Sequence, residues 1–274
     1  MTDGDGAFIK RFRVEPGERV RLKDRDPRDI SAFGDEESAR ASIPKEAATI
    51  DKLQDRLYAE GKRSLLVILQ GTDTSGKDGT IRNVFNATGP LGVSVTAFKR
   101  PTEDELAHDY LWRAHLACPR RGTIGIFNRS HYEDVLVAKV RRLAPEDEIE
   151  QRYGQINSFE RMLVENGTII LKFMLHISKA EQAERLQERL DDPRKHWKFN
   201  PGDLEDREHW DDFQKAYETV LHRCSTEWAP WYVIPADRKW ARNAAIARIV
   251  RATLEDMDPQ YPSASWDPGA FAIT

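Results

Sequence analysis

The chain has 274 residues, with 42 Lys and Arg against 46 Asp and Glu, a formal net charge of −4 and 39% hydrophobic residues. That length permits one large α/β domain or two smaller ones, and the acidic balance argues against a polycation that clings to nucleic acid. Apolar runs such as Leu65–Leu69 are too short to span a bilayer, and the polar start MTDGDGAFIKRF is unlike a signal peptide. Only two cysteines occur, Cys118 and Cys224, far apart; they suit reduced thiols, so the expected location is the cytoplasm, away from membranes.

Residues 1–43 are polar and read as an arm over the main domain, with Met1–Gly6 disordered. Ser42 is placed to cap a helix beginning near Pro44, with Ile50, Leu53 and Leu57 on one face and Gly61 at its end. The continuous apolar run Leu65–Leu69 reads as a strand buried on both faces. Further strands are expected at Val93–Phe98, Thr123–Phe127, Thr168–Leu175 and Trp231–Pro235. Helical patterns separate them at Asp78–Phe85, Thr102–Ala117, Asp147–Glu165, Lys179–Leu190 and Trp210–Arg223. This alternation predicts an α/β fold, a five-stranded parallel sheet covered by helices on both sides. The densely charged segment at about 178–228 is longer than a simple crossover and reads as a lid within a domain spanning 44–257; residues 258–274 read as a flexible tail.

Gly71-Thr72-Asp73-Thr74-Ser75-Gly76-Lys77 matches G-x-x-x-x-G-K directly after the first strand and before a helix. Its glycines let the backbone N–H groups of Gly71, Thr74, Ser75, Gly76, Lys77, Asp78 and Gly79 curl around an anion at a helix N-terminus. Lys77 supplies a mobile charge for a phosphoryl group. The residue after the lysine is Asp78, where the usual motif has a Mg²⁺-binding Ser or Thr; Thr80 follows two positions later. Asp73 is an acid inside a cradle for anions, which points to a magnesium ligand or a group orienting the attacking oxygen. The third strand runs into Asn128-Arg129-Ser130-His131-Tyr132-Glu133-Asp134 at the ligand edge of a parallel sheet. Arg129 is placed to clamp phosphate oxygens. Glu133 and Asp134 are candidate metal groups, with a dipole-favoured helix start the alternative for Asp134. Arg185 and Arg189, four apart on one helical face, are followed by Arg194, Lys195, His196 and Lys198; a repeating anion wants repeated cations. Lys239-Trp240-Ala241-Arg242-Asn243 forms a smaller basic group after the fifth strand.

GTDTSGKDGTIRNVF at 71–85, FNRSHYEDVL at 127–136, LQERLDDPRKHWKF at 186–199, DLEDREHWDDF at 203–213 and APWYVIPADRKWARN at 229–243 together resemble the type-2 polyphosphate kinases, across roughly residues 10–256. The form of the second motif is most similar to the class that accepts both nucleoside mono- and diphosphates. The resemblance implies a P-loop kinase fold like thymidylate kinase, three-layered α/β/α with a helical lid. It implies inorganic polyphosphate as donor, AMP, ADP or ATP as the nucleotide, Mg²⁺ (which Mn²⁺ can replace) and a homodimer or homotetramer. Asp73, Lys77 and Arg129 match the family's catalytic positions. Asp73, Asn128 and Glu133 are the implied metal set, although many members have Asp at the position of Asn128. Arg82, Asn83 and Glu133 are the expected nucleotide contacts. Lys77, Arg129, Arg185, Arg189, Lys195, Lys198, Lys239 and Arg242 are the expected polyphosphate contacts. Two other readings share the loop: an ATP-dependent nucleoside monophosphate kinase and a non-catalytic nucleotide sensor.

Overall fold

A computed structural model describes residues 3–270 and Ile273. Strands β1 (Ser64–Gln70), β2 (Val93–Ala97), β3 (Ile124–Asn128), β4 (Thr168–His176) and β5 (Trp231–Pro235) form one parallel sheet in the order β2-β3-β1-β4-β5. Along β1, Leu65, Val67 and Leu69 enter one core, while Leu66 and Ile68 enter the other. Burial on both faces is why the strand reads as an unbroken apolar run.

The helices in chain order are α1 (Asp3–Lys10), α2 (Glu36–Glu60), α3 (Lys77–Val84), α4 (Glu103–Leu106), α5 (Trp112–Ala117), α6 (Val137–Val140), α7 (Glu146–Glu165), α8 (Lys179–Asp191), α9 (Gly202–Glu208), α10 (Trp210–Cys224) and α11 (Lys239–Met257). One core joins the sheet to α1, α2, α3 and α11; the other joins it to α7 and α10. Residues 12–14 run along the outer edge of β5, where Val14 N–H donates to Trp231 O at 2.9 Å and Val233 N–H to Phe12 O at 2.8 Å. None of the helices among the described residues is long and apolar enough to cross a membrane.

Four local expectations need correction. The helix expected from Pro44 starts at Glu36, because Asp35 caps it by accepting from Ser38 N–H at 2.7 Å. Ser42 caps nothing; its hydroxyl donates to Ala39 O. Pro44 is tolerated inside because it lies on the exposed face, where the carbonyl deprived of its N–H partner meets water. Residues 3–6, expected to be disordered, belong to α1; Met1 and Thr2 lie outside the described residues. The helix expected over Thr102–Ala117 breaks into α4 and α5, and between them the Asp109 carboxylate accepts from Leu111 N–H at 3.0 Å and competes with the helix ladder. Finally, α11 follows β5 without a helical signature in the sequence: its alanine-rich repeat is buried around much of its circumference, so it lacks a clean polar face. Gly61 does end α2, in the left-handed region at φ 64°.

Candidate active site

The loop after β1 takes a shape that ordinary residues resist. A Cβ on Gly71 would lie 2.6 Å from Ser75 Oγ and 2.8 Å from Leu175 O, and Gly76 sits at φ 103°. Thr74 is held at φ 63° without being glycine. The loop empties into α3, so its amides and the helix N-terminus face one point, as an anion cradle requires.

Lys77, at the head of α3, is almost fully buried and folds back on the loop, donating to Gly71 O at 2.7 Å. Burial, with Arg129 nearby, lowers its pKa to about 8. A phosphate group brought against it restores the charge. The free enzyme therefore needs a proton on Lys77 that it loses as pH rises through about 8. We expect kcat/KM for the phosphate donor to be flat below that pH and to fall above it. The alkaline limb should be missing from the residual activity of Lys77→Arg, whose guanidinium does not titrate there. An unchanged limb in that variant would assign it to another group.

At the end of β3, Arg129 is held at φ 62°, a backbone conformation rare for its residue type. Two carboxylates secure it: Asp73 Oδ1 accepts from Nη2 at 2.5 Å and Glu133 Oε2 from Nη1 at 3.3 Å. Glu133, then Asp73, raise its pKa, so it stays charged throughout. Gln70 at the end of β1 donates to Glu133 Oε1 at 2.9 Å, fixing the turn to the central strand. Beneath this turn lies a buried ionic group: Lys172 Nζ donates to Glu160 Oε2 at 2.5 Å and to Cys224 O at 2.7 Å, and Tyr132 OH donates to Glu160 Oε1 at 2.8 Å. It anchors Tyr132, one residue from Glu133. Asp134 turns away to Arg113 and Arg152, at 3.8 and 4.0 Å, and so serves the scaffold.

The residues expected at the site fall into three groups. Asp73, Lys77, Asp78, Asn128, Arg129, Arg185, Arg189, Lys195, Lys198 and Lys239 line one cleft of about 430 Å³ between the loop and α8. Asp73, Arg129 and Glu133 also line a narrow crevice with Leu136, Trp210, Phe213 and Tyr217. Asn83 lies elsewhere, beside Lys239 and Arg242 in a separate cavity, and Arg82 is exposed on α3, so neither meets Glu133. Asn128 donates to Asp78 at 2.6 Å and lines the cleft beside Arg129.

Arg185, which also lines that cleft, and Arg242, which lines the separate cavity instead, both turn their guanidinium groups to backbone carbonyls. Both are buried. Arg185 donates to Thr74 O at 2.9 Å, Ala236 O at 2.8 Å and Asp237 O at 2.9 Å, while its Nε pairs with Glu181 at 2.8 Å. Arg242 donates to Ser75 O at 3.1 Å and to Asn243 Oδ1. Both grip the loop's carbonyls and so fix its backbone. Trp240 packs edge-to-face on Phe33 at 5.4 Å.

Sequence reasoning missed several groups. Lys99 lines the cleft just past β2, and its place at the ligand edge of the sheet was the available signal. Gln182 reaches Asp73 O at 3.4 Å. Asp203 of α9 has its pKa raised to about 6 by burial and by Asp73, and Asp206 is raised for the same two reasons. No spacing rule brings a lid acid to a loop acid.

A phosphate loop that opens on a long cleft of cations, with an arginine clamped between two acids at its mouth, defines the class: a P-loop phosphotransferase. The family described as polyphosphate kinase 2 matches residues 34–262, and the chain belongs to that family. It is 54% identical over 255 residues to an AMP/ADP-polyphosphate phosphotransferase of Meiothermus ruber, covering 93% of this chain and 96% of that one. It is 39% identical over 265 residues to an ADP-polyphosphate phosphotransferase of Rhodopseudomonas palustris, covering 92% of each. Among solved structures, polyphosphate kinase 2 from Arthrobacter aurescens superposes with a TM-score of 0.90 at 42% identity, over 94% of this chain and 93% of that one. The family resemblance, the parallel sheet and the P-loop kinase-like fold expected from the sequence all hold.

Proposed function

We propose that this enzyme transfers the terminal phosphoryl group of inorganic polyphosphate to AMP and ADP, and that it also runs in reverse. The observation that carries the reading is the cleft itself: the phosphate loop faces a file of lysines and arginines, Lys99, Arg189, Lys195, Lys198 and Lys239 among them. The names of the relatives from Meiothermus ruber and Rhodopseudomonas palustris support it.

Phosphoryl transfer asks the protein for position and charge more than for covalent chemistry. The donor's terminal phosphate rests on the loop amides, where Lys77 exchanges Gly71 O for a phosphate oxygen. Arg129, preset by Asp73 and Glu133, steadies the acceptor phosphate against it. An acceptor phosphate is already largely ionised, so no strong base is needed. Helices α8 and α9 roof the cleft and exclude the water that would otherwise take the phosphoryl group.

The donor set fits a divalent cation. Asp73, Asp78 and Asn128 offer hard oxygens along the cleft, while no cluster of three acids, histidines or cysteines among the described residues could hold an ion alone. That suits Mg²⁺, which takes one or two protein carboxylates and draws its remaining oxygens from phosphates and water. Asp73 and Asn128 would hold it, and bound there it would neutralise charge on the reacting phosphates.

Polyphosphate with ADP, in the absence of ATP, is expected to yield ATP, and with AMP to yield ADP. Glu133 sets the balance between the two acceptors: AMP brings a lone phosphate and leans on the Glu133–Arg129 pair, whereas ADP brings a second phosphate of its own. Glu133→Asn should lower the AMP rate about tenfold more than the ADP rate, a bias of about 1.4 kcal/mol. Initial rates measured side by side decide it. A constant AMP-to-ADP ratio rejects the role of Glu133, and absence of ATP from the wild type rejects the function.

A further inference from the structure

Behind the phosphate loop lies a second cavity of about 420 Å³. Three cations line it, Arg40, Lys239 and Arg242, with three amides, Asn83, Asn86 and Asn243; no acidic side chain among the described residues does. It shares Gly79 and Lys239 with the main cleft, so the two spaces meet at the first turn of α3.

The charge in this cavity is unbalanced. At the rim Arg40 pairs with Glu36 at 2.7 Å and Lys239 approaches Glu188 at 3.7 Å. At the floor Arg242 is 2% exposed, and its hydrogen bonds go to Ser75 O and the Asn243 amide, both neutral. Burial, with Arg185 adding to it, pushes its pKa down to about 9. The guanidinium also presses on the helix N-terminus: a Cβ on Gly76 would lie 1.8 Å from Arg242 Nη1, and one on Gly79 3.2 Å from Nη2. A cation held at the positive end of a helix, out of water and without an acid, is unfavourable in the empty protein. An anion in the cavity removes that penalty.

We propose that this cavity is a distal subsite for polyphosphate: the chain leaves the reacting end in the main cleft, turns over Gly79 past Lys239, and lays its next phosphates against Arg242, Asn83 and Arg40. The inference rests on polyphosphate being the donor, and it adds a place where chain length is read. A donor too short to pass Lys239 gains nothing from the subsite, while a long one gains electrostatic contacts remote from the chemistry. Such contacts lower KM without raising kcat.

The test uses Arg40→Glu with Asn86→Asp, two exposed positions outside the reacting site whose exchange should leave the fold intact. KM is measured for long-chain polyphosphate and for a short linear oligophosphate, with ADP as acceptor, at two salt concentrations. The expected result is a rise of about tenfold in KM for the long chain, with KM for the short one, kcat and KM for ADP unchanged. Raised salt should shrink the wild type's preference for long chains. Equal shifts for the two donors, or no shift, overturn the subsite while leaving the phosphotransferase reading intact. A change in rate with the short donor on adding free inorganic phosphate, lost in the variant, would assign the cavity to a separate effector anion and overturn it too. Failure of the wild type to use either donor would reject the underlying function instead.

Discussion

Lys77→Ala is expected to cut turnover by at least ~100-fold, the scale of losing one preorganised electrostatic group at a reacting centre. The ammonium sits at the mouth of the loop, where charge develops on the transferring phosphoryl group. Stability should be unchanged or slightly higher. In the folded protein burial disfavours the charged lysine, so its pKa falls to about 8 from 10.5, and truncation removes that strain together with a bond to Gly71 O. Steady-state turnover and a thermal melt on the same preparation give both halves of the result. Near-normal turnover with an intact fold would mean that this loop does not hold the reacting phosphate.

Arg185→Ala should damage the enzyme differently. Its guanidinium satisfies carbonyls at Thr74, Ser75, Ala236 and Asp237 and pairs with Glu181, so truncation orphans several buried acceptors at once. Leaving them unpaired costs about 3 kcal/mol, and the loop loses the grip that fixes its backbone. Melting temperature should drop, and kcat/KM should fall by at least ~100-fold with both substrates, since the loop serves each. Arg185→Lys should rescue little, because one ammonium cannot span the two pairs of carbonyls that a planar fork reaches. Arg189→Ala is the contrast: its side chain faces the cleft, bonded to Lys198 O and Asp203, so it should raise KM chiefly for polyphosphate. If Arg185→Ala instead raised only that KM and melted like the wild type, Arg185 would be a substrate ligand and not a positioning residue.

These two arginines mark where local pattern stops being informative. Spacing on a helix told that Arg185 and Arg189 share a face, and both line the cleft; it could not tell that the Arg185 guanidinium is taken up by loop carbonyls while Arg189 bonds to Lys198 O and Asp203. The sequence around Arg242 shows a basic group after the fifth strand but not the helix α11 that carries it, because a helix buried around most of its surface has no polar stripe.

By itself the sequence determined the layers and the chemistry of the loop. Five strands in a parallel sheet follow from apolar runs separated by helical periods, though not their order across the sheet. Gly71, Gly76 and Lys77 announce an anion cradle because few other residues can occupy those backbone and charge positions. Arg129 was legible for a similar reason, as a polar residue at the ligand edge of a buried strand. Only the tertiary structure decided the partners: Asp73 with Arg129 across 56 residues, Asn128 with Asp78 rather than with Glu133, Asp203 beside Asp73, Lys172 with Glu160 in the core. Periodicity reports which face of its own element a residue lies on, whereas these pairings depend on how separate elements stack. In a low-dielectric interior that stacking decides whether a charge is a ligand, a clamp or an unmet need for an anion.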